Sequence, residues 1–177
     1  MKKLLIVVDY QKDFVDGALG FPGAEALDGP IAERIASYRA AGNDVVFTYD
    51  THGGDYLRTQ EGRKLPTPHC IAGEAGWELY GETGRAALPG DLRFRKPTFP
   101  SLELAEWLRG RGYDQVELAG LVSYLCVLSN AVMVKAALPD AEIRVDARLT
   151  ASADPALHEK ALDVLEGVHV TVTGREG

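Results

Sequence analysis

Cys126 is the residue of this 177-residue chain best placed to act as a nucleophile. It lies in the stretch QVELAGLVSYLCVLSNAVMVKAA, residues 115–137. Residues 115–119 read as a buried strand, Gly120 as a punctuation point, and the apolar spacing from Leu125 onward as a helix starting near Ser123. That arrangement puts Cys126 in the first helical turn, where unpaired N–H groups and the helix dipole favour a thiolate. The alternative is an inert buried thiol, a usual fate of free cysteine. Asp9 closes the apolar run LLIVV, and an acid at the end of a central parallel strand stands where open α/β sheets place their chemistry. The alternative there is a turn or helix cap. Lys96 follows a third expected strand and precedes Pro97; elsewhere a lysine is usually solvated.

A second group has the chemistry of a cation site. Asp50 and His52 are two apart at the end of the second strand, so in extended backbone they point the same way. His69 lies in the loop that follows, and Glu61, midway along it, could supply a fourth ligand or leave room for water. Two imidazoles with carboxylates suit zinc best, with iron or manganese next. The other two histidines, His158 and His169, belong to a helix and a strand elsewhere. Cys70, beside His69, is expected to pack inward. Phe14, in the loop after the first strand, is a candidate pocket wall.

These residues need a frame that brings strand ends together. Strands are expected over residues 4–8, 44–49, 92–94, 115–119, 141–145 and 168–172. Between them, helices run from Pro30 to the Gly42 stop, over a short stretch at 77–80, from the Ser101 cap to Gly110 or Gly112, from Ser123 to Ala137, and from Asp154-Pro155 onward. Residues 10–29 and 50–70 read as long loops over the strand ends. Alternating strands and helices predict an α/β fold: a three-layer α/β/α sandwich around a mostly parallel six-stranded sheet, with residues 1–177 forming one domain.

A net charge of −7 argues against a surface built for nucleic acid or anionic membrane, because neither polyanion would be attracted to it. No apolar run is long enough to span a bilayer, and LLIVV is too short for a signal-peptide core, so the expected location is the cytoplasm. In that reducing compartment the two cysteines are expected to be separate thiols. An exposed apolar helix face would permit a homo-oligomer.

Four pieces carry a family likeness: LLIVVDYQKDFVDGAL at the start, YDTH with PHC after the second strand, RKPTFPS, and LAGLVSYLCVLSNA. Together they resemble the isochorismatase-like cysteine hydrolases, and within them the nicotinamidases, over essentially the whole chain. The resemblance implies a small-amide substrate and a catalytic triad of Asp9, Lys96 and Cys126. It implies a divalent metal on Asp50, His52 and His69, with Glu61 as fourth ligand. It also implies a cis Leu121–Val122 peptide, with the N–H groups of Val122 and Cys126 binding an oxyanion and Phe14 stacking on substrate. Three departures bear on substrate. Ser123-Tyr124 replaces the usual Thr-Asp, which alters the pocket rim at Tyr124. Pro66 and Thr67 stand where a tryptophan often precedes PHC. Isochorismatases proper lack the catalytic cysteine that is present here. The implied activity is hydrolysis of nicotinamide to nicotinate and ammonia through a thioester. The rivals are cleavage of another small amide, carbamoyl or ureido compound, or a non-catalytic binding protein that keeps the fold.

Overall fold

Branched apolar runs make the sheet and amphipathic segments cover it in the computed structural model, which describes residues 1–175. In chain order the elements are β1 (Lys3–Val8), α1 (Lys12–Val15), α2 (Asp28–Ala40), β2 (Asp44–Asp50), α3 (Gln60–Lys64), α4 (Gly81–Ala86) and β3 (Arg93–Lys96). There follow α5 (Leu102–Leu108), β4 (Gln115–Leu121), α6 (Leu128–Ala137), β5 (Glu142–Ala151), α7 (Pro155–Gly167) and β6 (Thr171–Thr173). The strands lie in the order β3-β2-β1-β4-β5-β6, and every neighbouring pair is parallel. The strand order reverses between β1 and β4. In an open parallel sheet the crevice beyond the carboxyl ends at such a switch point is the natural ligand site.

Strand alternation divides the core. Leu5 and Val7 pack with Ile31, Ile35 and Tyr38 of α2 on one face. Leu4, Ile6 and Val8 pack with Leu104 and Leu108 of α5, Ala131 and Val134 of α6, and Leu162 and Leu165 of α7 on the other. Each such leucine or isoleucine contributes about 1.5–3 kcal/mol when fully buried. Both expected caps form. Ser101 Oγ accepts from Leu104 N–H at 3.1 Å, and Asp154 Oδ1 accepts from the N–H groups of Ala156 and Leu157 at 2.8 and 3.0 Å.

The differences from expectation lie mostly in loops. The segment after β1 contains α1 and a 3₁₀ turn, Ala24–Leu27, and α2 starts at Asp28, ahead of Pro30. The Asp28 carboxylate turns away from α2 and accepts from Glu82 and Thr83 N–H at 2.7 and 2.8 Å, capping α4. The short helix expected at 77–80 is instead a 3₁₀ turn, Ala75–Trp77, followed by α4, and α3 occupies part of the 50–70 loop. β5 runs on to Ala151 after a register shift against β4, and β6 is shorter than expected. Among the described residues, no helix is long and apolar enough to cross a membrane.

Gly120 lies inside β4 rather than in a turn after it. Its φ is +120°, and a Cβ there would sit 2.0 Å from the Val8 carbonyl oxygen. Only glycine lets the ends of β1 and β4 approach this closely. Gly120→Ala is expected to lose about 2–4 kcal/mol of stability, read as a shift in the urea midpoint, because strain and a backbone clash act together.

Candidate active site

Three strand ends meet at the switch point. Asp9 follows β1 with a positive φ of 45° and donates its N–H to Thr48 O at 3.2 Å, which turns the carboxylate inward. Lys96 is the last residue of β3, and the buried Cys126 sits after β4. The turn that carries Cys126 is a π turn, Ser123–Val127, closed by Val127 N–H donating to Val122 O at 3.2 Å, and the Leu121–Val122 peptide before it is cis. Lys96 Nζ lies 2.5 Å from Asp9 Oδ2 and 3.4 Å from Cys126 Sγ. Asp9 is fully buried, with Thr48 Oγ1 donating to its Oδ1 at 2.6 Å.

Electrostatics assigns the protons. Burial raises Asp9 above the ordinary 3.8 of an aspartate despite the opposing pull of Lys96. For Lys96, burial works against the charge, but Asp9, Cys126 and Asp50 outweigh it and hold the amine protonated. Burial pushes the Cys126 thiol well up, and Lys96 offsets this only in part. Burial thus disfavours ionisation of the thiol, which sits beside the Asp9–Lys96 ion pair.

Next to it, the four residues of the cation group come together. Asp50 ends β2, and His52 is held in a bridge with Ile71, its N–H donating to Cys70 O at 3.0 Å. Glu61 rides on α3, whose cap is Thr59, with Oγ1 accepting from Gly62 N–H at 2.9 Å. One ligand atom from each of Asp50, His52, Glu61 and His69 lies within 4.8 Å of the others. Asp50 Oδ2 is 3.0 Å from His52 Nε2 and 3.3 Å from His69 Nε2, while Glu61 Oε1 is 3.8 and 3.7 Å from the same nitrogens. A tetrahedral ion with bonds of about 2.05 Å has edges of about 3.3 Å. Thr67 O accepts from His69 Nδ1–H at 2.8 Å, which leaves the Nε2 lone pair directed at the cluster. This two-nitrogen, two-oxygen donor set fits a divalent cation. Lys96 Nζ, 3.5 Å from Asp50 Oδ1, joins the two groups of residues. Burial opposes the Asp50 charge, but His52, His69 and Lys96 hold its carboxyl well below the usual range.

Several residues that sequence spacing does not single out position this site. Gln11, fully buried, donates through Nε2 to Asp50 O at 2.9 Å and to Trp77 O at 2.8 Å, and its Oε1 accepts from Asp50 N–H at 2.8 Å. Asn130 Nδ2 donates to Cys126 O at 2.8 Å and to Phe99 O at 3.1 Å, tying the Cys126 turn to the segment after Lys96. Tyr56 packs edge-on against both cluster histidines at 4.8 and 5.0 Å. Only the DYQ and SNA strings hint at the first two, and nothing marks Tyr56.

A cavity of about 650 Å³ opens over the cluster, with His52, Glu61, Leu65, Phe99 and Leu125 among its walls. The turn that carries Cys126 contributes Leu125 to that wall, and Tyr124 beside it is half-buried. Phe14 is buried against His69 at 5.5 Å, Leu121 is fully buried, and Val122 is half-buried. Cys70 is fully buried as expected, burial pushes its thiol up, and its N–H donates to Asp13 Oδ2 at 2.7 Å.

Known proteins share this fold over most of the chain. The chain is 29% identical over 145 residues to the nicotinamidase/pyrazinamidase of Mycobacterium tuberculosis, covering 73% of this chain and 76% of that one. The crystal structure of the nicotinamidase/pyrazinamidase PncA from Bacillus subtilis superposes with a TM-score of 0.86 at 30% identity, covering 98% of this chain and 100% of the other. The pyrazinamidase of Pyrococcus horikoshii in complex with zinc gives a TM-score of 0.84 at 25% identity, covering 99% and 100%. The isochorismatase domain model matches residues 3–176, and the chain therefore belongs to the isochorismatase family.

Proposed function

We propose that this amide-cleaving hydrolase is a nicotinamidase that uses Cys126 as its nucleophile. The observation that carries the reading is the meeting of Asp9, Lys96 and Cys126, from three separate strand ends, at 2.5 and 3.4 Å in a buried crevice. In the proposed reaction Asp9 takes the thiol proton as sulfur bonds to the amide carbon. The carbonyl electron pair moves onto oxygen, where the N–H groups of Val122 and Cys126 receive it. As the C–N bond breaks, Asp9 returns the proton to nitrogen and ammonia leaves. Water then attacks the thioester, again with Asp9 as base, and sulfur takes the proton back. Lys96 stays charged throughout and keeps Asp9 ionised between the two half-reactions.

Asp50, His52, Glu61 and His69 would hold a divalent cation, with zinc the best match to the donor set. When bound, it supplies Lewis acidity beside the crevice, to anchor a substrate ring nitrogen or to orient and acidify water. The relatives named for nicotinamide and pyrazinamide support an aromatic amide as substrate. With Pro66 and Thr67 where a tryptophan often stands, the apolar walls Leu65, Phe99 and Leu125 are left to hold the ring.

Ammonia release measured on nicotinamide, pyrazinamide and a set of carbamoyl and ureido compounds tests this. Nicotinamide is expected to have the highest kcat/KM; a preference for a carbamoyl compound by tenfold or more would replace it. A pH profile checks the base. Because Asp9 is raised above 3.8, the acid limb of kcat/KM should lie above that pH, falling as the carboxylate protonates. A limb at or below 3.8 would contradict the assignment. Gln11→Ala frees both backbone groups of Asp50 and should weaken metal retention about 10- to 100-fold, read by competition with a chelating dye.

A further inference from the structure

The amide chemistry leaves a second cavity unused. It measures about 670 Å³ and lies between α1, α4, β2 and the edge strand β3, walled by Lys12, Arg85, Arg93, Arg95, Tyr49 and Trp77. Its charge runs against that of the chain, which carries 26 acidic and 19 basic side chains. Here four basic residues face one acidic residue, Glu78. Arg85 lies 3.8 Å from Glu82, but Lys12, Arg93 and Arg95 have no carboxylate within 4.0 Å among the described residues. Arg93 donates to Leu88 O at 3.1 Å, and the Arg95 guanidinium rests over the Trp77 ring at 4.8 Å. Three cations without a carboxylate partner line one concavity, two of them planar guanidinium forks, and this donor chemistry suits a phosphate group. The space is far larger than a bare phosphate ion and falls in the range of small-molecule sites. Tyr49 and Trp77, 5.0 Å apart, give the organic part of such a molecule an aromatic wall.

We propose that this cavity is a second ligand site, for a phosphate ester of nucleotide size, and that its occupation bears on the metal-binding segment through Trp77. The route is short. Trp77 Nε1–H donates to Thr51 Oγ1 at 2.9 Å, and Thr51 stands between Asp50 and His52. Gln11 Nε2 bridges Trp77 O and Asp50 O, and the N–H of Lys12 donates to Glu78 O at 2.9 Å. A ligand that draws Lys12 or Arg95 inward therefore pulls on Gln11, which is hydrogen-bonded to Asp50, and on Trp77, which is hydrogen-bonded to the residue between Asp50 and His52.

The test is calorimetric titration of the full chain, loaded with zinc, with ADP and separately with inorganic phosphate. ADP should saturate one site, bind more tightly than phosphate, and lose about tenfold or more in affinity in Arg93→Ala/Arg95→Ala, because charge-assisted contacts to the anion are removed. Trp77→Phe should still bind ADP but lose the shift that ADP produces in the KM for nicotinamide, a readout resting on the amidase reading. Calorimetry needs no turnover, so the site stands or falls independently of that reading. Phosphate binding as tightly as ADP would overturn the ester. Undiminished binding by the double arginine variant would place the anion at the metal instead. No saturable heat with either probe would leave these arginines as guards of an edge strand and end the proposal.

Discussion

Cys126→Ala should release no measurable ammonia from nicotinamide, a fall of about four orders of magnitude or more, while the protein stays folded. The size follows from the role: without sulfur no thioester forms, and the buried crevice offers Asp9 only water to activate. The folded state should hardly notice, with stability within about 1 kcal/mol of the parent. Lys96 loses one contact at 3.4 Å but keeps Asp9, Asp50 and the Thr98 carbonyl at 3.1 Å. Matched urea curves alongside the ammonia assay separate the two effects. Turnover near the parental value would remove Cys126 from the reaction, and unfolding of the variant would reassign it to packing.

Lys96→Met should cost both activity and stability, for one reason. Asp9 is fully buried, and its Oδ2 faces the Lys96 ammonium. Deleting one partner of a buried ion pair costs about 3–5 kcal/mol, because the other charge is left uncompensated. Burial already raises Asp9. Without the lysine it rises further, so the carboxylate is less available to take the thiol proton. The double variant Lys96→Met/Asp9→Asn carries neither charge and should recover most of the lost stability while remaining inactive. If the double variant were no more stable than the single one, the pair would not be the source of the loss. If Lys96→Met kept its activity, Asp9 would not be the base.

Much of this site is legible in the amino-acid sequence because the chemistry sits at strand ends. LLIVVD and DVVFTYD each read as a buried strand closed by an acid, and both acids end beside Lys96. In a parallel sheet, all strands that start on one side finish on the other, so residues distant in sequence reach one edge. Asp-x-His marks two of the four clustered residues through simple alternation. What stays hidden depends on contacts between loops. Gln11 and Asn130 act through backbone groups of residues far along the chain or on its next turn, which no periodicity records. Tyr56 and α3 lie in a stretch rich in glycine and proline, where local propensity is weak and the fold is set by packing on His52 and His69. Glu117 shows the same limit inside a strand. Inside the strand read over residues 115–119, its charge is buried in an ion pair with Arg34, and it accepts from Tyr38 Oη at 2.7 Å. Gly120 reads as a turn residue because glycine does serve turns. Its actual task, letting β4 pass within touching distance of Val8, needs the neighbouring strand to be known.

The central claim, that sulfur of Cys126 carries the acyl group, is tested most directly by quenching the zinc-loaded protein in acid during turnover of nicotinamide and mapping its peptides by mass. A nicotinoyl adduct is expected on the peptide containing Cys126, formed within the first turnover and absent from Asp9→Asn. An adduct on any other residue, or steady ammonia release with Cys126 unmodified under conditions that trap thioesters, would contradict it.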